Sequence, residues 1–172
     1  DAKRGDIGNT SRMYAKTFFE TFDFDSVTIA PYMGSDSVEP FLTYNNKWVI
    51  ILGLASNKGA KDFQFQKLEN GSQVYEAVLR RCAEYGSIDN TMFVIGATKS
   101  EFLTDVRQII PDHFLLVPGV GAQGGTLESV IEHGANNDGG LLINSSRGIL
   151  YASDGKDFAE AAREKAMALS KR

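Results

Sequence analysis

The sequence predicts an α/β fold of repeated β-α units around a parallel sheet, and three observations point to it. Five short runs are near-continuously apolar: Val27 to Ala30 (VTIA), Trp48 to Leu54 (WVIILGL), Met92 to Ala97 (MFVIGA), Phe114 to Val117 (FLLV) and Leu141 to Asn144 (LLIN). Runs without alternation suit strands buried on both faces, as in parallel sheets. Amphipathic stretches separate them regularly. Finally, 42% hydrophobic and 23% charged residues are the proportions of a globular domain with a core rather than of a disordered chain.

The opening, DAKRGDIGNT, reads as the end of a strand followed by its loop. Ser11 to Phe22 is the first helix. A short helix near Ser37 to Leu42 takes Asp36 as its N-cap. Val74 to Tyr85 carries apolar residues at helical spacing and meets Gly86 in a C-cap position. Ser100 caps Glu101 to Ile110, which Pro111 stops. Thr126 caps a helix through His133, ended by Gly134. The tail, Lys156 to Arg172, is rich in Ala, Glu and Lys and reads as a terminal helix. Five complete β-α units thus follow one truncated unit, in a single domain over 1–172.

Both the open doubly wound sheet and the closed (β/α)8 barrel use this rhythm. A barrel takes about 250 residues, roughly 31 per unit. The 172 residues therefore amount to roughly five and a half units. A barrel would lack about two units, on the order of 80 residues, at its N-terminus; an open sheet would need nothing more. Rhythm and composition leave both open.

Composition narrows the function. A net charge of -4 disfavours a nucleic-acid surface. No apolar run reaches the roughly 20 residues of a membrane helix, and the start does not read as a signal peptide. The lone Cys82 excludes an intrachain disulfide and fits a reducing compartment, so a cytoplasmic protein is expected.

Four constellations carry chemistry. Asp1 and Lys3, two residues apart at a strand end, share one face, and Asp6 follows in the loop. A lysine held between carboxylates stays protonated and can deliver a proton to a developing carbanion; a solvated, charged segment reads the same way. VPGVGAQGG at 117–125 places four glycines between a strand and a helix, which frees backbone N–H groups to approach an anion, and Gln123 adds a donor. Taken alone it is an ordinary β-α turn. In NSSRG at 144–148, Arg147 offers a bidentate fork for phosphate. A lone arginine there is commonly a surface residue, but these two loops follow the last two strands, where barrels often build a phosphate site. In ASNKGA at 55–60, Ser56 and Asn57 suit a polar ring and equally suit a tight turn. His113 and His133 are isolated, Cys82 reads as packing, and no zinc spacing occurs. Tyr14, Phe18, Phe19 and Phe22 read as core or subunit contact.

Taken together, DAKRGDIGNT, PYMGSDSVEPF at 31–41, LASNKGA at 54–60, VIGAT at 94–98, VPGVGAQGG and NSSRGILYA at 144–152 resemble the orotidine 5'-phosphate decarboxylase family, in its longer bacterial type. The motifs are collinear over nearly the whole chain. The resemblance implies a (β/α)8 barrel, with this chain starting at the end of the third strand and the first two β-α units absent. It implies conversion of orotidine 5'-monophosphate to UMP in pyrimidine synthesis, with no metal and no organic cofactor. By it Lys3 is the proton donor to C6, and Asp1 sits near the departing carboxylate. Asp6, Ile7 and Thr10 reach the partner's site in a homodimer. Ser56 reads the pyrimidine, Gln123 bridges Ser56 and the phosphate, Pro118 begins the closing loop, and Arg147 with the backbone of Ser146 holds the phosphate. The family's further lysine and aspartate on the first two strands have no counterpart here, so the chain alone is expected to be an incomplete site, with a companion N-terminal fragment as one remedy. Lys58 stands where the family often has proline. A magnesium-dependent sugar-phosphate lyase or decarboxylase of the same superfamily, and a non-catalytic nucleotide-binding fragment, are the alternatives.

Overall fold

The computed structural model describes residues 1–96, 101–120 and 126–170. Five strands, β1 (Ser26–Ile29), β2 (Trp48–Leu54), β3 (Thr91–Ile95), β4 (Phe114–Pro118) and β5 (Leu141–Asn144), form one sheet in the order β1-β2-β3-β4-β5. All four pairings are parallel. The helices are α1 (Gly8–Lys16), which runs on into a π-helical turn (Thr17–Thr21), α2 (Ser35–Leu42), α3 (Ala60–Phe63), α4 (Val74–Ala83), α5 (Glu101–Ile109), α6 (Leu127–Gly134), α7 (Ser146–Leu150) and α8 (Phe158–Ser170).

The strand order answers the question that rhythm left open. A doubly wound sheet reverses its order at a switch point, which puts helices on both faces. Here each strand pairs with the next, and right-handed crossovers then carry every connecting helix to the same face. The sheet is singly wound, the arrangement of a barrel wall.

Register makes the two faces chemically different. Val27 and Ile29, Val49 and Ile51, Phe93 and Ile95, and Leu115 and Val117 point to the helix side. There they meet Phe19, Phe41, Leu79, Val106 and Val130 in one buried cluster. The other face carries Thr28, Ile50, Leu52, Met92, Val94, Phe114, Leu116 and Leu142. On it Trp48 and Phe114 meet edge to face at 6.4 Å although their strands are not neighbours, as side chains on the inner side of a curved sheet do. This face is only partly covered: Leu142 is 49% exposed.

Several expectations need correction. Asp36 does not cap α2. Gly34 is the N-cap, at a φ of 83° that favours glycine, and Asp36 lies in the first turn. Gly86 is not a C-cap, because α4 ends at Ala83 and Glu84 is its C-cap. A Cβ at Gly86 would fall 2.0 Å from Thr91 Oγ1, so close packing accounts for that glycine. The first helix starts earlier, after an extended Ile7, and its second half widens into the π turn. The sequence predicts neither α3 nor α7, which with four and five residues are too short to show a period. Thr126 does cap α6, its hydroxyl accepting from the Ser129 N–H at 3.2 Å. Ser100, the expected cap of α5, lies outside the described residues, as does Ala97.

At the N-terminal rim of the sheet a half-buried guanidinium does the fastening. Arg107 Nε donates to the Gly134 carbonyl at 2.7 Å, and its other nitrogens reach the carbonyls of Ile110, Pro111, His113 and Gly140 at 2.6–3.2 Å. It thereby ties the ends of α5 and α6 to the starts of β4 and β5. Desolvation pushes its pKa down to about 10, which leaves it charged at neutral pH.

Candidate active site

Parallel strands deliver all their C-terminal ends to one rim, and the chemistry-bearing residues gather there. The opening segment reaches it along the free edge of β1. The sequence predicts the end of a strand here, but the segment forms none. A single parallel bridge joins Arg4 to Ile29, with the Arg4 N–H donating to the Thr28 carbonyl at 3.2 Å and the Ala30 N–H to the Arg4 carbonyl at 2.7 Å. Lys3 adopts a φ of 47°, in the left-handed region that a long side chain rarely enters.

Asp1 and Lys3 come together as expected. The Lys3 ammonium donates to Asp1 Oδ1 at 2.6 Å. Thr28, which the sequence reading did not single out, completes the cluster. Its hydroxyl donates to Asp1 Oδ1 at 2.8 Å and accepts the Lys3 backbone N–H at 3.0 Å. The signal was present in the sequence: one hydroxyl inside the otherwise apolar run Val27 to Ala30. Asp6 does not join Lys3. Its carboxylate turns to the N–H of Ile7 at 2.8 Å, an anchor for the turn into α1. Lysine between two carboxylates is therefore corrected to lysine on one. Ile7 is 53% exposed and Thr10 is exposed in the first turn of α1. Nothing among the described residues ties Asp6, Ile7 or Thr10 to the Asp1–Lys3 pair of the same chain.

Ser56 follows β2 and borders a cavity of about 540 Å³ with Ala55, Asn57, Lys58, Phe65 and Phe102 among its walls. Two features hold its loop. The Ala55 N–H donates to Gln64 Oε1 at 2.8 Å. Gly96, just beyond β3, lets the Ser56 backbone approach so closely that a Cβ there would stand 2.6 Å from the Ser56 nitrogen. Sequence reasoning missed Gln64, which follows α3 as its C-cap and belongs to no motif.

A second cleft, of about 150 Å³, opens between the ends of β4 and β5. Pro118, Gly119, Val120, Asn144, Ser146 and Arg147 line it. The two loops that were paired on position alone thus share one cleft. Ser146 Oγ donates to Asn144 Oδ1 at 3.1 Å. Ser146 and Arg147 open α7, so their N–H groups lack intrahelical acceptors. No carboxylate among the described residues pairs with the Arg147 guanidinium. A cation and unspent N–H donors around a small polar cleft suit a phosphate. Gln123 lies outside the described residues.

Comparison with known proteins places these features in a family. The family model described as orotidine 5'-phosphate decarboxylase / HUMPS family matches residues 1–162. The orotidine 5'-phosphate decarboxylase of Flavobacterium johnsoniae is 59% identical over 167 residues, covering 97% of this chain and 61% of that protein. That of Phocaeicola vulgatus is 57% identical over 166 residues, covering 96% of this chain and 61% of that protein. Among solved structures, a UMP synthase from Leishmania donovani superimposes with a TM-score of 0.86 at 40% identity, over 99% of this chain and 38% of that one. The chain spans about 61% of the length of the curated relatives it matches.

Proposed function

The chain belongs to the orotidine 5'-phosphate decarboxylase / HUMPS family, and on that premise we propose that it carries the proton-donating and phosphate-binding parts of an enzyme that converts orotidine 5'-monophosphate to UMP without metal or organic cofactor. The observation that carries this is the placement on one rim of one sheet of the Asp1–Lys3 pair and the Arg147 cleft.

The reaction breaks the bond between C6 and the carboxylate carbon. CO2 leaves, the electron pair stays on C6, and Lys3 gives C6 a proton, ending as a neutral amine. No group attacks covalently, and the barrier is the charge that develops at C6. A fixed ammonium stabilises that charge more effectively in a preorganised, water-poor pocket than in solution. Asp1 orients the ammonium and lies near the departing carboxylate. Ser56 reads the pyrimidine ring. Arg147 and the Ser146 backbone collect binding energy from the remote phosphate. With Pro118 opening the loop that Gln123 completes, that energy closes the site over the substrate.

The functional unit is a closed (β/α)8 barrel in a homodimer. Two further β-α units, on the same polypeptide or as a companion fragment, complete the wall and bring the additional lysine and aspartate. The partly exposed apolar inner face and the greater length of the relatives support this. Asp6, Ile7 and Thr10 face the partner's site, a reading supported by their separation from Lys3 within one chain. The lone, buried Cys82, whose thiol burial pushes up to about 11, suits the reducing cytoplasm. Among the described residues no helix is long and apolar enough to cross a membrane.

The test follows loss of orotidine 5'-monophosphate absorbance by the complete protein in metal-free buffer, with and without added magnesium. Turnover without metal that disappears in Lys3→Ala, while UMP still binds, is expected. Turnover only with magnesium, or full turnover by Lys3→Ala, would overturn the reading.

A further inference from the structure

We propose that Thr28 is a positioning residue for the proton donor. The proposal rests on the function argued above but concerns a residue outside that assignment. Its hydroxyl makes two bonds in opposite senses, accepting the backbone N–H of Lys3 at 3.0 Å and donating to Asp1 Oδ1 at 2.8 Å. The same Oδ1 receives the Lys3 ammonium at 2.6 Å. One oxygen on β1 therefore holds both ends of the acid–base pair, the main chain of the lysine and the carboxylate that orients its ammonium.

Three further features make this more than a surface contact. Thr28 is 3% exposed, whereas the Asp1 and Lys3 side chains are 64% and 47% exposed, so the fixed member of the cluster is the threonine. Lys3 holds a left-handed φ of 47°, which costs energy for a residue with a Cβ and persists only where its surroundings impose it. The Thr28 hydroxyl bonds to the backbone of that strained residue. Finally, β1 presents Val27 and Ile29 to the helix-side core, so register sends Thr28 to the inner face and its position is set by the sheet itself. A rigid strand thus sets the position of an ammonium carried on a flexible stem, which is what proton transfer to a single carbon requires.

The experiment compares Thr28→Val and Thr28→Ser in the complete protein. Valine keeps the branched shape and removes both bonds; serine keeps the hydroxyl. Thr28→Val is expected to lower kcat by about 100-fold with KM little changed, the penalty for a misplaced catalytic group. It should also raise the hydrogen-exchange rate of the Lys3 amide and shift the 15N resonance of the Lys3 ammonium. Thr28→Ser should restore most of each. Wild-type kcat in Thr28→Val overturns the proposal. So does a loss of kcat with the Lys3 amide and ammonium unchanged, or a serine variant as impaired as the valine one. If the unmodified protein does not decarboxylate, the functional reading falls, and the exchange and 15N measurements alone decide whether Thr28 positions Lys3.

Discussion

Arg147 sits in the cleft between β4 and β5 without a carboxylate partner among the described residues. An unneutralised guanidinium in a polar cleft is available to an anion, and a charge-assisted bond to phosphate contributes about 1.5–3 kcal/mol. Arg147→Ala should therefore weaken UMP binding by roughly 10- to 100-fold and leave binding of the phosphate-free nucleoside unchanged. Calorimetric titration with both ligands checks this, and an equal loss for both would remove the phosphate role. Asp6 shows the reverse lesson. Sequence spacing placed it beside Lys3, yet its carboxylate is taken by the next backbone N–H. Proximity in sequence reported the rim on which these residues lie but not the direction each side chain takes.

At the scale of elements, the loop after β2 packs against Gly96, just beyond β3. Gly96 leaves room for the Ser56 backbone, and a methyl group there would stand 2.7 Å from Ser56 Cβ. If Ser56 reads the pyrimidine as proposed, Gly96→Ala should displace it and lower kcat/KM by about 100-fold through misplacement. Steady-state kinetics with a parallel UMP titration would show it, and unchanged values would free Ser56 of that role. All five strands were legible because buried parallel strands leave unbroken apolar runs. The longer helices showed their period, and α6 showed its Thr126 cap. The short α3 and α7 were not legible, since four or five residues hold no period. Nor was strand order, which is a long-range property; singly wound topology emerged only from the pairing. Of the candidate site, Asp1, Lys3, Ser56, Pro118, Ser146 and Arg147 were legible through motifs. Thr28 was not, because it acts through a bond to a residue 27 positions away along the chain, and Gln64 was not, because its bond to the Ala55 N–H belongs to no motif.

For the whole molecule, His113 couples stability to acidity. It is buried beside Phe93, at 5.3 Å between ring centroids, and neither ring nitrogen has a partner among the described residues. Desolvation lowers its pKa from the ordinary 6.5; Asp112 opposes that shift and Arg107 adds to it. In the unfolded chain the ring takes up a proton near pH 6.5, while in the folded protein it stays neutral to lower pH. Its contribution is therefore complete above pH 6.5 and is lost as pH falls through the lowered folded value. His113→Phe keeps the ring and removes the titration, so its urea midpoint should fall less between pH 7 and pH 5 than that of the parent. Parallel slopes would show that other groups carry the acid sensitivity.

The Arg107 fastening has a consequence for how this protein can change over generations. Five carbonyls from two helix ends and two strand starts depend on one guanidinium, all at the rim opposite the candidate site. Substitutions in the loops around Ser56 and Arg147 leave those bonds untouched. Selection can therefore vary the rim of the candidate site without paying for each trial in lost folding. Variants at Arg107 have no such freedom, and tolerance to mutation in this chain should divide by rim rather than by distance along the sequence.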